Sequence, residues 1–163
     1  RLLLDNDWNE LLQRLNDQHD NNHIMCGFKF SSILPRFDQP IFHNGGIFAV
    51  FSIDGKQLSK IINDIDFNYV YISEDIHFNL ELLTKGYPNA IMEEFCYYQK
   101  YNKDGGCSAF RTQQMEDECA KKLNKKFPKY YTIDYSKPKP VNRGSMGTLR
   151  TRVLYSKSYK ESI

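Results

Sequence analysis

No run of apolar residues in this chain approaches the eighteen or so that a membrane-spanning helix needs, and no secretory signal is visible. Cysteine is scarce: Cys26, Cys96, Cys107 and Cys119 show no C-x-x-C spacing. Reduced thiols are therefore expected, not a disulfide framework or a zinc site. No internal repeat is present, which sets aside solenoids and propellers. Net charge is also small, only +2. These absences leave a cytoplasmic globular protein as the expectation. With 163 residues, 40% hydrophobic and 14% aromatic, the chain is long enough for one domain with a real core.

The small net charge hides a division. Residues 1–120 carry ten basic and eighteen acidic side chains, whereas residues 121–160 carry twelve basic and one acidic. Lys121, Lys125, Arg143, Arg150 and Arg152 belong to this basic end. A basic face on an acidic body suits a polyanionic partner, nucleic acid first. A solvated lysine-rich surface accounts for the same composition.

Acids stand at two abrupt boundaries. The apolar run Leu2-Leu3-Leu4 stops at Asp5-Asn6-Asp7, and the β-branched and aromatic stretch 67–73 runs into Glu74-Asp75. Each reads as a strand that delivers carboxylates past its end, where open α/β sheets keep their ligands. Two such acids repel each other unless a cation or a proton relieves them, and Mg2+ or Mn2+ is the usual hard partner. Helix caps and polar turns use the same residues.

Periodicity predicts the remaining order. Helices are expected at 9–15, with Trp8, Leu11, Leu12 and Leu15 on one side, and at 56–63, 76–85 and 113–127. Further strands are expected at 24–30, 47–53, 90–98, 130–135 and 149–155, with a polar loop at 17–23 and glycine turns at 45–46 and 103–106. A mobile loop is expected around Pro138, Pro140, Arg143, Gly144 and Gly147. The alternation of strands and helices implies an α/β mixed sheet with flanking helices.

A strand ending in Asp-x-Asp, followed later by Glu-Asp before a helix with a Leu-Leu-x-x-Gly tail, resembles nucleotide-sugar-dependent glycosyltransferases of the GT-A fold. The chain is similar to their phage-type, TET-associated group in three segments. These are Glu74-Asp75-Ile76-His77-Phe78-Asn79-Leu80, Gly86-Tyr87-Pro88-Asn89 and Gly105-Gly106-Cys107-Ser108-Ala109-Phe110-Arg111-Thr112. The likeness runs from Leu2 to about Tyr155. It implies sugar transfer from a nucleotide-sugar donor to a hydroxyl, with a hydroxymethylated pyrimidine in DNA as acceptor. It also implies an upstream nucleotide-binding portion before Asp5, so residues 1–163 are expected to be one partial domain. Asn6 occupies the middle of the metal motif, where the outer acids do the chelating.

The resemblance assigns roles. Asp5 and Asp7, with His77 as a late ligand, would hold Mg2+ or Mn2+ against the donor diphosphate. Asp75 would take the proton of the acceptor hydroxyl, with Glu74 holding sugar hydroxyls. Gly105, Gly106, Ser108 and Arg111 would bind the donor or a phosphate, the glycines allowing close approach and Arg111 a bidentate contact. A hairpin turn and a helix capped by Thr112 account for that segment equally. The other histidines, His19, His23 and His43, read as ordinary surface or half-buried side chains. Two further readings stay open: transfer to a glycan or protein, and a nucleic-acid-binding module without catalysis.

Overall fold

A computed structural model describes residues 8–30, 39–97, 110–136 and 147–163. The expected strand at 2–4, with Asp5 and Asp7, lies outside them, as do the glycine loop with Gly105, Gly106 and Ser108, and Arg143. The elements are α1 (Trp8–Asp20), β1 (Met25–Phe30), β2 (Ile41–His43), β3 (Phe51–Ile53), α2 (Gly55–Leu58), α3 (Glu74–Thr84), β4 (Asn89–Tyr97), α4 (Gln113–Lys126), β5 (Tyr131–Asp134), β6 (Arg150–Val153) and α5 (Tyr155–Lys160). A 3-10 turn at Ile62–Asp64 follows α2. The chain is a mixed α/β protein. Its main sheet has the order β2-β4-β1-β3, and β5 and β6 form a separate antiparallel pair. β1 and β4 are parallel, flanked by antiparallel β2 and β3.

Alternation along the central strands sends side chains to two faces. On one face Cys26, Ala90 and Met92 pack with Leu11 and Leu15 of α1. On the other, Met25 and Ile91 pack with Ile47, Phe78 and Leu82. α3 is buried on nearly all sides, every residue from His77 to Leu83 included, because its far side meets a third layer. There Leu80 packs with Cys119, Leu123 and Phe127 of α4 and with Tyr131 of β5.

This layering fixes where the helices begin. α1 runs antiparallel to β1: Arg14 pairs with Glu94 late in β4, while His19 reaches Ser52, which faces Cys26 early in β1. On the opposite face Asn79 lies over Asn89 at the start of β4, and Asp75 lies further on beside Ala49. Both helices therefore begin toward the carboxyl end of the parallel pair, where α/β sheets keep their sites.

Local chemistry explains the boundaries. Asp54 accepts from the amides of Lys56 and Gln57 to start α2, and Thr112 accepts from Met115 N–H to start α4. Gly86, at φ +82°, ends α3; Tyr87 N–H donates to Leu82 and Gly86 N–H to Leu83, a Schellman closure. Five expectations change, the first being that α1 runs on to Asp20, through half of the expected loop at 17–23. Residues 67–73 form no strand, so Glu74-Asp75 open a helix without following a strand. Only Phe51–Ile53 of the expected strand 47–53 pairs. The helix at 56–63 shrinks to α2 and a 3-10 turn. Trp8 and Leu12 face outward, leaving Leu11 and Leu15 to bury the α1 stripe.

Candidate functional site

α3 starts under strain. Ser73, the residue ahead of the helix, has φ +60° and its side chain makes no cap. Ala49 has φ +55°, and Val50 N–H donates to Phe48 carbonyl at 2.6 Å across it, closing a γ-turn of the rare positive-φ kind. Neither residue is Gly, Asn or Asp, the types that tolerate this region. Both flank Asp75, and backbone strain of this sort collects where a site over-determines its geometry.

The loop carrying Ala49 is held by a buried amide network. Asn89 Nδ2 donates to Asn79 Oδ1 at 2.7 Å and to Gly45 carbonyl at 2.8 Å, and its Oδ1 accepts from Gly45 N–H at 3.0 Å. Asn79 Nδ2 donates to Ile47 carbonyl at 2.8 Å. Asp75 is half-buried at the end of this loop, its Oδ1 accepting from Ile76 N–H at 2.7 Å. Burial pushes its carboxyl above the usual range, and the neighbouring Glu74 adds to the shift. Amides of Ile76 and Ala49 and the Arg111 charge oppose it. Glu74 is exposed. Close by, the Tyr155 hydroxyl is buried without a hydrogen-bond partner, and its ring meets Phe48 edge-on at 6.2 Å. Burial, then Asp75 and Tyr131, hold that phenol well above its ordinary value of 10.

A crevice of about 720 Å3 opens beside this helix end, with Ser73 and Ile76 on one wall. The amino end of α4 supplies Arg111, Glu116 and Asp117, and the β5–β6 ribbon supplies Arg150 and Arg152. Two residues apart on one strand, these arginines share a face. Arg111 Nε is buried without a partner, and its Nη1 stands 3.7 Å from Glu116 Oε1.

Residues 147–149 cross the crevice as a strap. Gly147 N–H donates to Glu116 Oε2 at 2.7 Å. Thr148 N–H and Leu149 N–H donate to Asp117 Oδ1 at 2.8 and 3.1 Å, and Thr148 Oγ1 donates to Asp117 Oδ2 at 2.6 Å. Burial opposes the Asp117 charge, yet these bonds hold its carboxyl below the usual range. A Cβ at Gly147 would come within 2.9 Å of Asp117 Oδ1 and press on the carboxylate that holds the strap.

The crevice thus gathers the surroundings of Asp75 with the expected phosphate ligand Arg111 and the expected polyanion contacts Arg150 and Arg152. Lys121 follows Asp117 by one helical turn and is exposed, as is Lys125 one turn further. His77 does not join them. It is buried, stacked on Tyr69 with ring centroids 5.3 Å apart, and its Nε2 lies 3.1 Å from Lys126 Nζ. Glu81 Oε1 lies 3.4 Å from the same nitrogen and also pairs with Lys126. An ammonium at the ligating atom repels a cation, so the expected metal role gives way to a core charge network. Among the described residues no group of three or more His, Cys, Asp or Glu side chains is arranged to hold a metal. Trp8, the residue after Asp7, opens α1 on the sheet face opposite α3.

Sequence reasoning passes over Ala49, Glu116, Asp117 and Tyr155. The acid pair before a helix and the basic end with Arg150 and Arg152 are visible, but nothing in the spacing links Glu116 to Gly147. No helix among the described residues is long and apolar enough to cross a membrane. In comparisons with known proteins, the chain matches no family model, no curated protein and no solved structure.

Proposed function

We propose that this chain is a nucleotide-sugar-dependent glycosyltransferase with a GT-A-like fold. The observation that carries the reading is a half-buried carboxylate, flanked by two strained backbone positions and felt by the Arg111 charge, at the helix end beside a crevice that Arg111, Arg150 and Arg152 line. Asp75 accepts the proton of an acceptor hydroxyl as that oxygen bonds to the anomeric carbon. The bond from the anomeric carbon to the donor phosphate breaks, and the electron pair leaves with the nucleotide diphosphate. Arg111, Arg150 and Arg152 meet that negative charge, and guanidiniums suit phosphate oxygens through paired donors. Burial of Asp75 raises its proton affinity above that of a surface carboxylate, which favours a base.

The resemblance implies Mg2+ or Mn2+, but the described residues supply no fitting ligand set, and no step here runs through a cation. The crevice lining sets Arg111, Arg150 and Arg152 against Glu116, Asp117 and Asp134, so the preference for an acceptor in DNA over a glycan or protein rests on the exposed Lys121 and Lys125 of α4 beside it. The same arginines also suit a nucleic-acid-binding module without catalysis.

The test incubates the chain with a panel of nucleotide sugars, Mn2+ and duplex DNA containing 5-hydroxymethyl pyrimidines, and weighs the DNA by mass spectrometry. The expected result is addition of one sugar by wild type and loss of that product with Asp75→Asn, while donor heat in calorimetry persists. Donor binding without transfer to DNA points to another acceptor. No donor heat and no product leave only the binding module, and equal turnover by Asp75→Asn removes Asp75 as the base.

A further inference from the structure

Three of the four histidines meet at the opposite end of the sheet, far from the crevice in sequence and in role. His23 precedes β1, and its buried ring stacks on the exposed ring of His43, the last residue of β2, with centroids 5.0 Å apart. His43 Nδ1 and His23 Nε2 are 3.1 Å apart. The surrounding carbonyls fix which nitrogen carries the proton. His23 Nδ1 faces Gln18 carbonyl at 3.0 Å and must be N–H. Its Nε2 then accepts, in the neutral ring, from His43 Nδ1–H.

Few other titratable groups face the pair. α1 contributes His19, whose Nδ1–H donates to His23 carbonyl at 2.7 Å and whose Nε2 meets Ser52 Oγ of β3 at 2.5 Å. β1 contributes the Cys26 thiol, 3.9 Å from His23 carbonyl and pushed up to about 12 by burial. Asp54, ahead of α2, acts on His19 and Cys26, and the last turn of α1 adds Asp17 and Asp20 at this end. β4 places the uncharged Asn89 at the turn after His43, its carbonyl accepting from Asn44 N–H at 3.0 Å. Among the described residues no carboxylate pairs with either ring.

We propose that His23 and His43 form an acid-sensitive latch that fastens edge strand β2 to the turn ahead of β1 and opens when the pair takes up its second proton. Nε2 of His43 has no protein partner among the described residues, so a proton there leaves the ring-to-ring bond intact. A second has only His23 Nε2 to occupy. Two N–H groups on two stacked cations then face each other, and the bond is lost. Burial lowers the His23 pKa, the Gln18 carbonyl opposes this, and His43 and His19 lower it further. The unfolded ring takes its proton near 6.5, so latch stability is complete above that pH and is lost as pH falls toward the depressed folded value. β2 pairs through only three residues, and the segment after it carries the loop that ends beside Asp75. Opening the latch therefore loosens one support of that loop. The inference stands whether or not the chain transfers sugar.

Two-bond 1H–15N spectra of the whole chain at pH 7.5 should show His23 as the Nδ1–H tautomer. Between pH 7 and pH 5, protection of the Phe42 and His43 amides, corrected for intrinsic exchange, should fall, approaching about tenfold per pH unit where one proton is linked to opening. His43→Thr opens His23 Nε2 to solvent, and His23 should then titrate at higher pH. An Nε2–H tautomer at His23, pH-independent β2 protection, or the same His23 titration in wild type and His43→Thr would each overturn the latch. Should His43→Thr fail to fold, the tautomer and the wild-type protection profile decide.

Discussion

Asp75 holds a charge where water is scarce. Its folded pKa lies above the ordinary 3.8, so the folded chain binds this proton more tightly than the unfolded chain does. Stability due to this group therefore rises as pH falls toward that range, and the ionised form weakens the fold at neutral pH. Asp75→Asn is expected to raise Tm at pH 7 and to lose that advantage in acid. A lower Tm at pH 7 would mean that the Ile76 and Ala49 amides outweigh burial. Glu81 behaves in the opposite sense. Burial opposes its charge, but bonds from His77 and Lys126 dominate and bring its pKa down to about 2 from 4.5. That contribution is present above pH 4.5 and disappears as pH falls toward 2. Glu81→Ala strands the Lys126 ammonium against His77 and two aromatic rings, and should cost about 2–3 kcal/mol in urea unfolding at pH 7. The gap from wild type should close between pH 4.5 and pH 2; a gap that persists there would assign the loss to packing.

The close approach of two elements explains why part of the fold is hard to read from sequence. Ile47 sits in an apolar run that reads as a strand. In the fold its side chain seals the sheet above Gly27, and its carbonyl goes to Asn79, not to a ladder. A Cβ on Gly27 would overlap Ile47 Cγ2 outright. Gly27→Ala should cost about 1–3 kcal/mol from overpacking. Ile47→Ala makes room, so in a double-mutant cycle the pair should cost less than the sum of the singles; strict additivity would place the Gly27 effect in backbone freedom instead. Helices are legible wherever a 3.6-residue stripe meets a stop or start signal, as in α3 with Gly86 and α4 with Thr112. β1 and β4 are legible as apolar runs because both their faces are covered. Residues 67–73 mislead for a physical reason. Val70 and Ile72 are buried and Tyr71 is exposed, a strand-like alternation, but these side chains pack on α4 and their backbone finds no ladder. Alternation reports burial, not pairing. The start of α5 is invisible because Tyr155 continues the apolar pattern of β6 while the chain turns. In the site, the spacing of acids and arginines is legible, whereas the strap on Glu116 and Asp117 depends on hydrogen bonds between groups thirty-one residues apart in sequence.

Across the whole molecule, charge is sorted by layer. The acidic body holds the sheet and α1, and the cations of the carboxyl-terminal part stand on α4, β6 and α5, of which α4 and β6 border the crevice. Glu116 and Asp117 are already engaged by the strap, so Arg150, Arg152, Lys121 and Lys125 are the exposed charges that a passing anion meets. Burial of Leu123 and Phe127 fixes α4 against α3, which makes its lysine row a rigid face. A phosphate backbone lying along that row would displace counterions, and binding to duplex DNA would then weaken steeply with salt. Fluorescence anisotropy with a labelled duplex between 50 and 200 mM salt measures this directly. The slope of log K against log salt should be negative, and each phosphate no longer neutralised should flatten it by about 0.9. Replacing Lys121, Lys125, Arg150 and Arg152 together by Gln should flatten it in proportion to the number of phosphates they neutralise, while Lys56→Gln and Lys60→Gln on the acidic body leave it alone. The acidic body repels the same backbone, so the duplex should approach from the α4 and β6 side only. Equal flattening by the two sets of substitutions, or absence of binding at 50 mM salt, would make the basic end a solvated surface and separate it from the chemistry at Asp75.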